Sequence, residues 1–379
     1  MWYIYLFLIL IVLAVIYYFL FKRDVLSVSF ISCIMYAIST LAAFISYKIE
    51  GSWNYVEIHK QTVIYVIISA LCIGVGELLL RKLEKKQDYE IEKKVKLIKV
   101  TDIKIIICTS FLLVTFFLIY INMSKITNTT GFGKVINAYK INSAMYNDSE
   151  NTEQINFIYT QMYRVSIVIG MIFLYIYINN MCYNYKLKYN YKFVIPIIIS
   201  IFLSMLLGGR SAIMRFIVAA FIFFMVINNK KKKIKLFKFI RIGILLLIVV
   251  LPLFYILLGA IGQSTQNNFV DYITFYLGSP IPSFDEYLQN YYRYEEVSQH
   301  FGENTFVGIQ QILYKFHIID YYNIYQSEWL DFGNGLKSNV FTGIKIYFQD
   351  FGIIRNNFIS DFIWNYIFLF ISKSKKLKL

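Results

Sequence analysis

Charge is what this 379-residue chain has little of: Asp, Glu, Lys and Arg make up 16% of it, against about 25% in an ordinary soluble domain. That shortage excludes a water-soluble globule. Cysteine gives no framework either. Cys33, Cys72, Cys108 and Cys182 all lie in or at the edge of apolar runs and form no CxxC pair, so neither a disulfide scaffold nor a zinc site is expected. The first apolar run lacks a basic segment before it and a small-residue cleavage site after it, which marks a retained helix rather than a removable leader. No internal repeat is visible, and the two halves show no matching pair of broken helices, as many transporters would.

Apolar sequence is what the chain has instead: 58% of it is hydrophobic, with a mean hydropathy of +0.54. Runs long enough to cross a bilayer extend over 3–21, 25–46, 62–80, 105–121, 165–181, 193–207, 211–228 and 242–261, with a weaker ninth at 358–371. The expected fold is an all-α polytopic integral membrane protein of about nine transmembrane helices. It divides into helices over 1–261, a large outer loop over 262–340 and a loop exit with a short helix over 341–379.

The net charge of +15 is compatible with nucleic acid, but its distribution points elsewhere. Lys22-Arg23, the segment Arg81 to Lys104, Lys186 to Lys192, Lys230 to Arg241 and the tail Lys373 to Lys378 all fall on one side if every run crosses once. The positive-inside rule makes that side cytoplasmic and puts the N-terminus outside. The two long segments, Asn122 to Tyr163 and Gly262 to about Val340, are then external, and function is expected there. The second is too apolar for a linker and too polar to span, so it should form interfacial helices and loops with Tyr and Trp at headgroup depth.

One stretch concentrates the chemistry: Leu207-Gly208-Gly209-Arg210-Ser211-Ala212-Ile213-Met214-Arg215. Counting crossings places Gly208-Gly209 at the outer mouth between the sixth and seventh spans, with Arg215 more than a helical turn deeper. A charge at mid-membrane costs about 2.5–3.5 kcal/mol on insertion scales, so such residues face a cavity or a partner. Glycines admit an anion to backbone amides, Ser211 can cap the new helix, and the helix N-terminus carries partial positive charge. Together with Arg210 this is an anion cradle that suits a diphosphate. The plainer alternative is that the glycines only turn the chain, Arg210 snorkels to the headgroups and Arg215 pairs with a neighbour's carboxylate.

A polytopic chain with a large late outer loop and GGRS opening a helix resembles the O-antigen polymerase (Wzy) family, oligosaccharide repeat-unit polymerases of bacterial surface polysaccharides. YLGSPIPSFDEYL (Tyr276 to Leu288), GENTFVGI (Gly302 to Ile309) and SNVFTGIKIYFQDFG (Ser338 to Gly352) are similar to that family's loop and loop-exit patterns. The resemblance implies an inverting, metal-independent glycosyltransferase with no cofactor, which builds O-antigen or capsule at the outer face of the inner membrane. Polyprenyl-diphosphate-linked oligosaccharide, such as an undecaprenyl diphosphate conjugate, would be both donor and acceptor. Membrane lipid, a chain-length regulator and a flippase are the other implied partners, and nucleic acid is not.

Such a transfer needs cations for the departing diphosphate and a base for the acceptor hydroxyl. Gly208, Gly209, Arg210, Ser211 and Arg215 suit the first role, with Arg164 at the outer end of the fifth span and Arg293 in the large loop as further cations. His300, one of three histidines and in the outer loop, and Asp285 lead as bases. Glu286, Asp331 and Asp350 are rivals.

After YFQDFG the resemblance leads to an apolar, glycine-containing helix, whereas Arg355-Asn356-Asn357 interrupts the apolar pattern. Codons ATA ATA AGG AAT AAT TTT with one A deleted would read Ile-Ile-Gly-Ile-Ile, so a frameshift near Arg355 is one expectation. A short ninth span with a basic inner tail is the other. The competing functions are a lipid-linked oligosaccharide flippase, expected to have more spans and short loops, an O-antigen ligase-like transferase, a glycan-binding sensor and a solute transporter with Arg215 at a midplane site.

Overall fold

The structure is a computed structural model that describes residues 1–48, 57–85, 97–145, 155–183, 190–208, 210–231, 234–260, 268–290, 302, 304–320, 330–333 and 337–350. Its elements are α1 (Trp2–Leu20), α2 (Val28–Lys48), α3 (Lys60–Lys85), α4 (Asp102–Thr127), α5 (Phe132–Met145), α6 (Phe157–Cys182), α7 (Val194–Gly208), α8 (Arg210–Lys231), α9 (Leu236–Ala260), α10 (Phe269–Gly278), α11 (Pro280–Gln289) and α12 (Val307–Lys315). Among the described residues the only strands are the two-residue pair Leu330–Asp331 and Lys337–Ser338. The protein is an all-α polytopic membrane protein.

Among the described residues seven helices are long and apolar enough to cross a membrane, and the sixth expected run is the shorter apolar helix Tyr191–Leu207. Helices prevail because a bilayer offers no partner to a free N–H or C=O, and a helix satisfies both within itself. The ninth run, Arg355 and the rest of 351–379 lie outside the described residues.

The chain forms two compact units: residues 1–90 with 267–379, and residues 91–266. In the first unit, α1, α2 and α3 pack together and receive α10 and α11 against α2 and α3. Gly278 makes that approach possible, since a Cβ there would come within 2.8 Å of the Ala43 backbone nitrogen. Ile281 and Phe284 are fully buried. The segment read as outer loop therefore packs into the unit at α10 and α11. α12 has no buried residue and exposes Ile309 and Ile312, as an interfacial helix does.

The α1–α2 turn of this unit is locked by charge. The Glu77 carboxylate, 3% exposed, accepts from the Ser27 hydroxyl (2.8 Å), the Ser29 N–H (2.9 Å) and hydroxyl (2.7 Å), and Arg81 Nε and Nη2 (2.9 and 2.6 Å). The same Nη2 donates to Asp24 at 2.8 Å, and the guanidinium lies over the Phe21 ring. A buried carboxylate needs this many donors to offset its lost hydration.

In the second unit, α6 packs on α7 and α8, and α4 on α7. Gly170 lets α6 meet Ser200 of α7, whose hydroxyl donates to the Ser166 carbonyl at 2.9 Å. Small residues at such a crossing replace the hydrophobic drive that lipid removes. One apolar cluster gathers Phe173, Phe193, Ile197 and Phe216, and another Ile119, Met123, Leu203 and Leu206. The second cluster also takes Val135 and Ile136 of α5, a helix the hydropathy did not announce. At the opposite end of α6, the Asn180 amide both donates to and accepts from the Ile98 backbone, and Lys192 pairs with Asp102.

Candidate functional site

The anion cradle read from the sequence is in the second unit. α7 ends at Gly208 and α8 begins at Arg210, on either side of Gly209. Gly209 lies outside the described residues. Because the helix already starts at Arg210, Ser211 is its second residue and not its N-cap; it is exposed. The backbone amides of this first turn have no partner within the helix and present partial positive charge.

Arg215 and Tyr163 meet here. The Arg215 guanidinium hydrogen-bonds the Tyr163 phenol, whose hydroxyl also lies 3.4 Å from the Ser204 carbonyl. The carboxylate partner that the plainer alternative requires does not appear among the described ion pairs. A phenol carries no charge to offset the guanidinium, and the Arg215 side chain is exposed. Arg164, next to Tyr163 on α6, is also exposed. The structure therefore brings Arg215 of α8 to Tyr163 of α6, whose neighbour in sequence is Arg164. Arg293 lies outside the described residues.

The candidate bases part company. His300 lies outside the described residues. Asp285, in α11 of the first unit and 7% exposed, is fully engaged at the start of α3. Its Oδ1 accepts from the His59 N–H at 2.8 Å and from the Thr62 hydroxyl at 2.5 Å. Its Oδ2 faces His59 Nδ1 at 2.9 Å. The positive end of the α3 dipole favours a carboxylate at this place. The His59 side chain remains 54% exposed. Asp350 is likewise committed: it accepts from the Asn304 N–H and side-chain amide, both at 2.9 Å, and from the Thr305 N–H at 2.6 Å. Glu286 accepts from the Asn290 amide, and Asp331 pairs with Lys337 and caps the Gly333 N–H.

The sequence reading missed His59. Its partner is 226 residues away, and a lone histidine just before a span has no spacing pattern. The only available signal was its rarity, since three histidines occur in the chain.

The first unit also holds a cavity of about 590 Å³, lined by residues that include Tyr36, Ser39, Ser69, Tyr276, Thr305 and Thr342. No charged side chain is among its described lining residues. Burial pushes the phenol of Tyr347, another lining residue, up in pKa. Among the described residues no group of three or more His, Cys, Asp or Glu side chains could hold a metal ion.

No curated protein and no solved structure matches the chain. A family model described as O-antigen polysaccharide polymerase Wzy matches residues 1–271, a stretch that contains the whole second unit and the α8 arginines and ends before the three loop motifs. With most of its length matched, the chain belongs to the O-antigen polysaccharide polymerase Wzy family.

Proposed function

We propose that this protein polymerises polyprenyl-diphosphate-linked oligosaccharide repeat units into an O-antigen or capsule, at the outer face of the bacterial inner membrane. The observation that carries the reading is the Arg215–Tyr163 contact beside a helix N-terminus, in a chain of the Wzy family. The growing glycan leaves its own lipid diphosphate and joins the terminal sugar of a fresh unit, inverting the anomeric carbon without a metal. As the glycosidic bond to diphosphate breaks, negative charge grows on the leaving oxygens. Arg210 and Arg215, with the first-turn amides of α8, stabilise that charge, and Arg164 and Arg293 steer the headgroup. Tyr163 holds Arg215 without neutralising it.

The charge pattern supports the orientation, with the N-terminus outside and the C-terminus in the cytoplasm. Lys22 and Arg23 share their end of the first unit with Arg81, which bonds Asp24, and the Lys192–Asp102 pair marks the basic end of the second. Each Lys or Arg near an anionic inner leaflet is worth about 1 kcal/mol. A chain-length regulator and a flippase would act beside the polymerase.

Deletion of the gene, complemented with wild type, Arg210→Ala or Arg215→Ala, tests this on a gel of surface glycan. Loss of long chains, with single repeat units still exported, is the expected result. Loss of all glycan with units trapped inside would make the protein a flippase.

A further inference from the structure

The cavity of about 590 Å³ belongs wholly to the first unit, and its size suits a small organic ligand, whose pockets run from about 300 to 1,000 Å³. Half of its described lining residues carry a hydroxyl or an amide, and none of them is charged. Three of those hydroxyls, on Ser39, Thr305 and Thr342, are buried with no hydrogen-bond partner. The backbone around two of them is already committed. The Thr305 N–H donates to Asp350 at 2.6 Å, which fixes the chain and leaves the side chain unused. The Thr342 carbonyl accepts from the Lys345 N–H at 3.1 Å, in the turn that opens the helical stretch 344–350. A threonine hydroxyl beside a helix start ordinarily caps it, yet that of Thr342, 5% exposed, bonds nothing. An unmade buried hydrogen bond costs stability, and folded proteins keep few of them. Their gathering around one cavity marks a place that a hydrogen-bonding ligand completes. Lipid does not meet that need. The lining at Asn304, Thr305, Thr342 and Gly343 is non-helical, and irregular backbone beside membrane spans is tolerated where protein covers it or where it lines a wet cavity, not against hydrocarbon. A sugar ring has the matching chemistry: C–H faces that lie on aromatic and aliphatic side chains, and a rim of hydroxyls that donate and accept as Ser and Thr do. Tyr36, Tyr276 and Tyr347 supply the rings. A charged sugar would lose its hydration with no counter-charge among the described lining residues.

We infer that this cavity binds an uncharged stretch of the repeat unit's glycan, with the hydroxyls of Ser39, Thr305 and Thr342 as partners of the sugar hydroxyls; this rests on the polymerase reading given above. The site recognises its ligand and carries out no covalent step. Because the three hydroxyls bond nothing in the free protein, removing one weakens glycan binding without weakening the fold. Gly343 gives a second handle. A Cβ added there would meet nothing within 4 Å, so a large side chain at this lining position occupies the cavity without displacing its walls.

The test uses the full chain in bilayer nanodiscs. The probe is the oligosaccharide freed by mild acid from lipid-linked repeat units of a strain deleted for this gene, and binding is followed by calorimetry. Ser39→Ala and Thr342→Val should each weaken binding about three- to tenfold, while the melting profile of the ligand-free protein stays the same or rises. Gly343→Trp should abolish binding; if it fails to accumulate, Gly343→Leu is read in the same way. Affinity should change less than about twofold between about 0.05 and 0.5 M salt, since no ion pair is involved. A wild-type chain that binds no oligosaccharide at about 10 mM, binding that both the Thr342 and Gly343 variants leave intact, or a steep salt dependence overturns the assignment. Polyprenyl monophosphate, titrated in the same way, should bind the Gly343→Trp and wild-type chains alike; loss of its binding in that variant would make the occupant a lipid chain and overturn it too. Elongation of lipid-linked units is read separately on the same preparation. A wild-type chain that binds the oligosaccharide through this cavity and never elongates refutes the polymerase reading alone, whereas elongation with unaltered binding in the variants refutes the cavity assignment alone.

Discussion

The two compact units treat ionic groups in opposite ways. In the first, every carboxylate that matters is wrapped in donors: Glu77 by two serines and Arg81, Asp285 by His59 and Thr62, Asp350 by Asn304 and Thr305. In the second, Arg164 and Arg215 are exposed, and Arg215 has a neutral phenol for a neighbour. The difference teaches where binding capacity lies. A compensated acid holds the protein together, whereas an exposed cation beside a neutral phenol is the kind of group that the proposed diphosphate chemistry calls for.

The sharpest way to break that contrast is at Arg81. Replacing it with Met strips Glu77 of its cation and should cost about 3–5 kcal/mol of stability, as removal of one partner of a buried pair does. Thermal unfolding in detergent would register it, and an unchanged melting profile would show the network to be ornamental. Next in size is Arg215→Ala, expected to reduce polymerisation by about 10²- to 10³-fold with the melting profile unchanged; Arg215→Lys should recover only part, because an ammonium lacks the planar fork. An Arg215→Ala variant that unfolds at lower temperature would class Arg215 with Arg81 and erase the contrast.

Asp350→Asn should cost about 1.5–3 kcal/mol by replacing a charged acceptor facing three donors, again read as thermal stability. Tyr163→Phe is the mildest: loss of one hydrogen bond to Arg215 is worth about 1 kcal/mol, roughly a fivefold drop in elongation rate. A larger loss there would give the phenol a role beyond holding the guanidinium.

The spans were legible because lipid imposes a local rule: about twenty apolar residues in a row. All eight strong runs correspond to helices, and the GGR break falls between α7 and α8. Pairing of helices was not legible. What brings α10 to α2 is the bare backbone at Gly278 against Ala43, and what brings α11 to α3 is one aspartate meeting one histidine. Neither has a period or a window, since small-residue contacts and single polar pairs guide association inside a membrane. α5 was missed for a related reason. It buries Val135 and Ile136 through a mixed sequence too short and too polar for a span. The candidate site divides in the same way: the cations were visible as charges in apolar surroundings, and His59 was hidden because its meaning comes from a residue 226 positions away.

The measurement that tests the central claim most directly is the length distribution of glycan on its lipid carrier after the purified wild-type chain, in a bilayer, is given lipid-linked repeat units. The expected result is a ladder that lengthens by whole repeats with time and collapses to single units in the Arg215→Ala protein. Single units only, from a wild-type chain that is folded and bound to the bilayer, would contradict it.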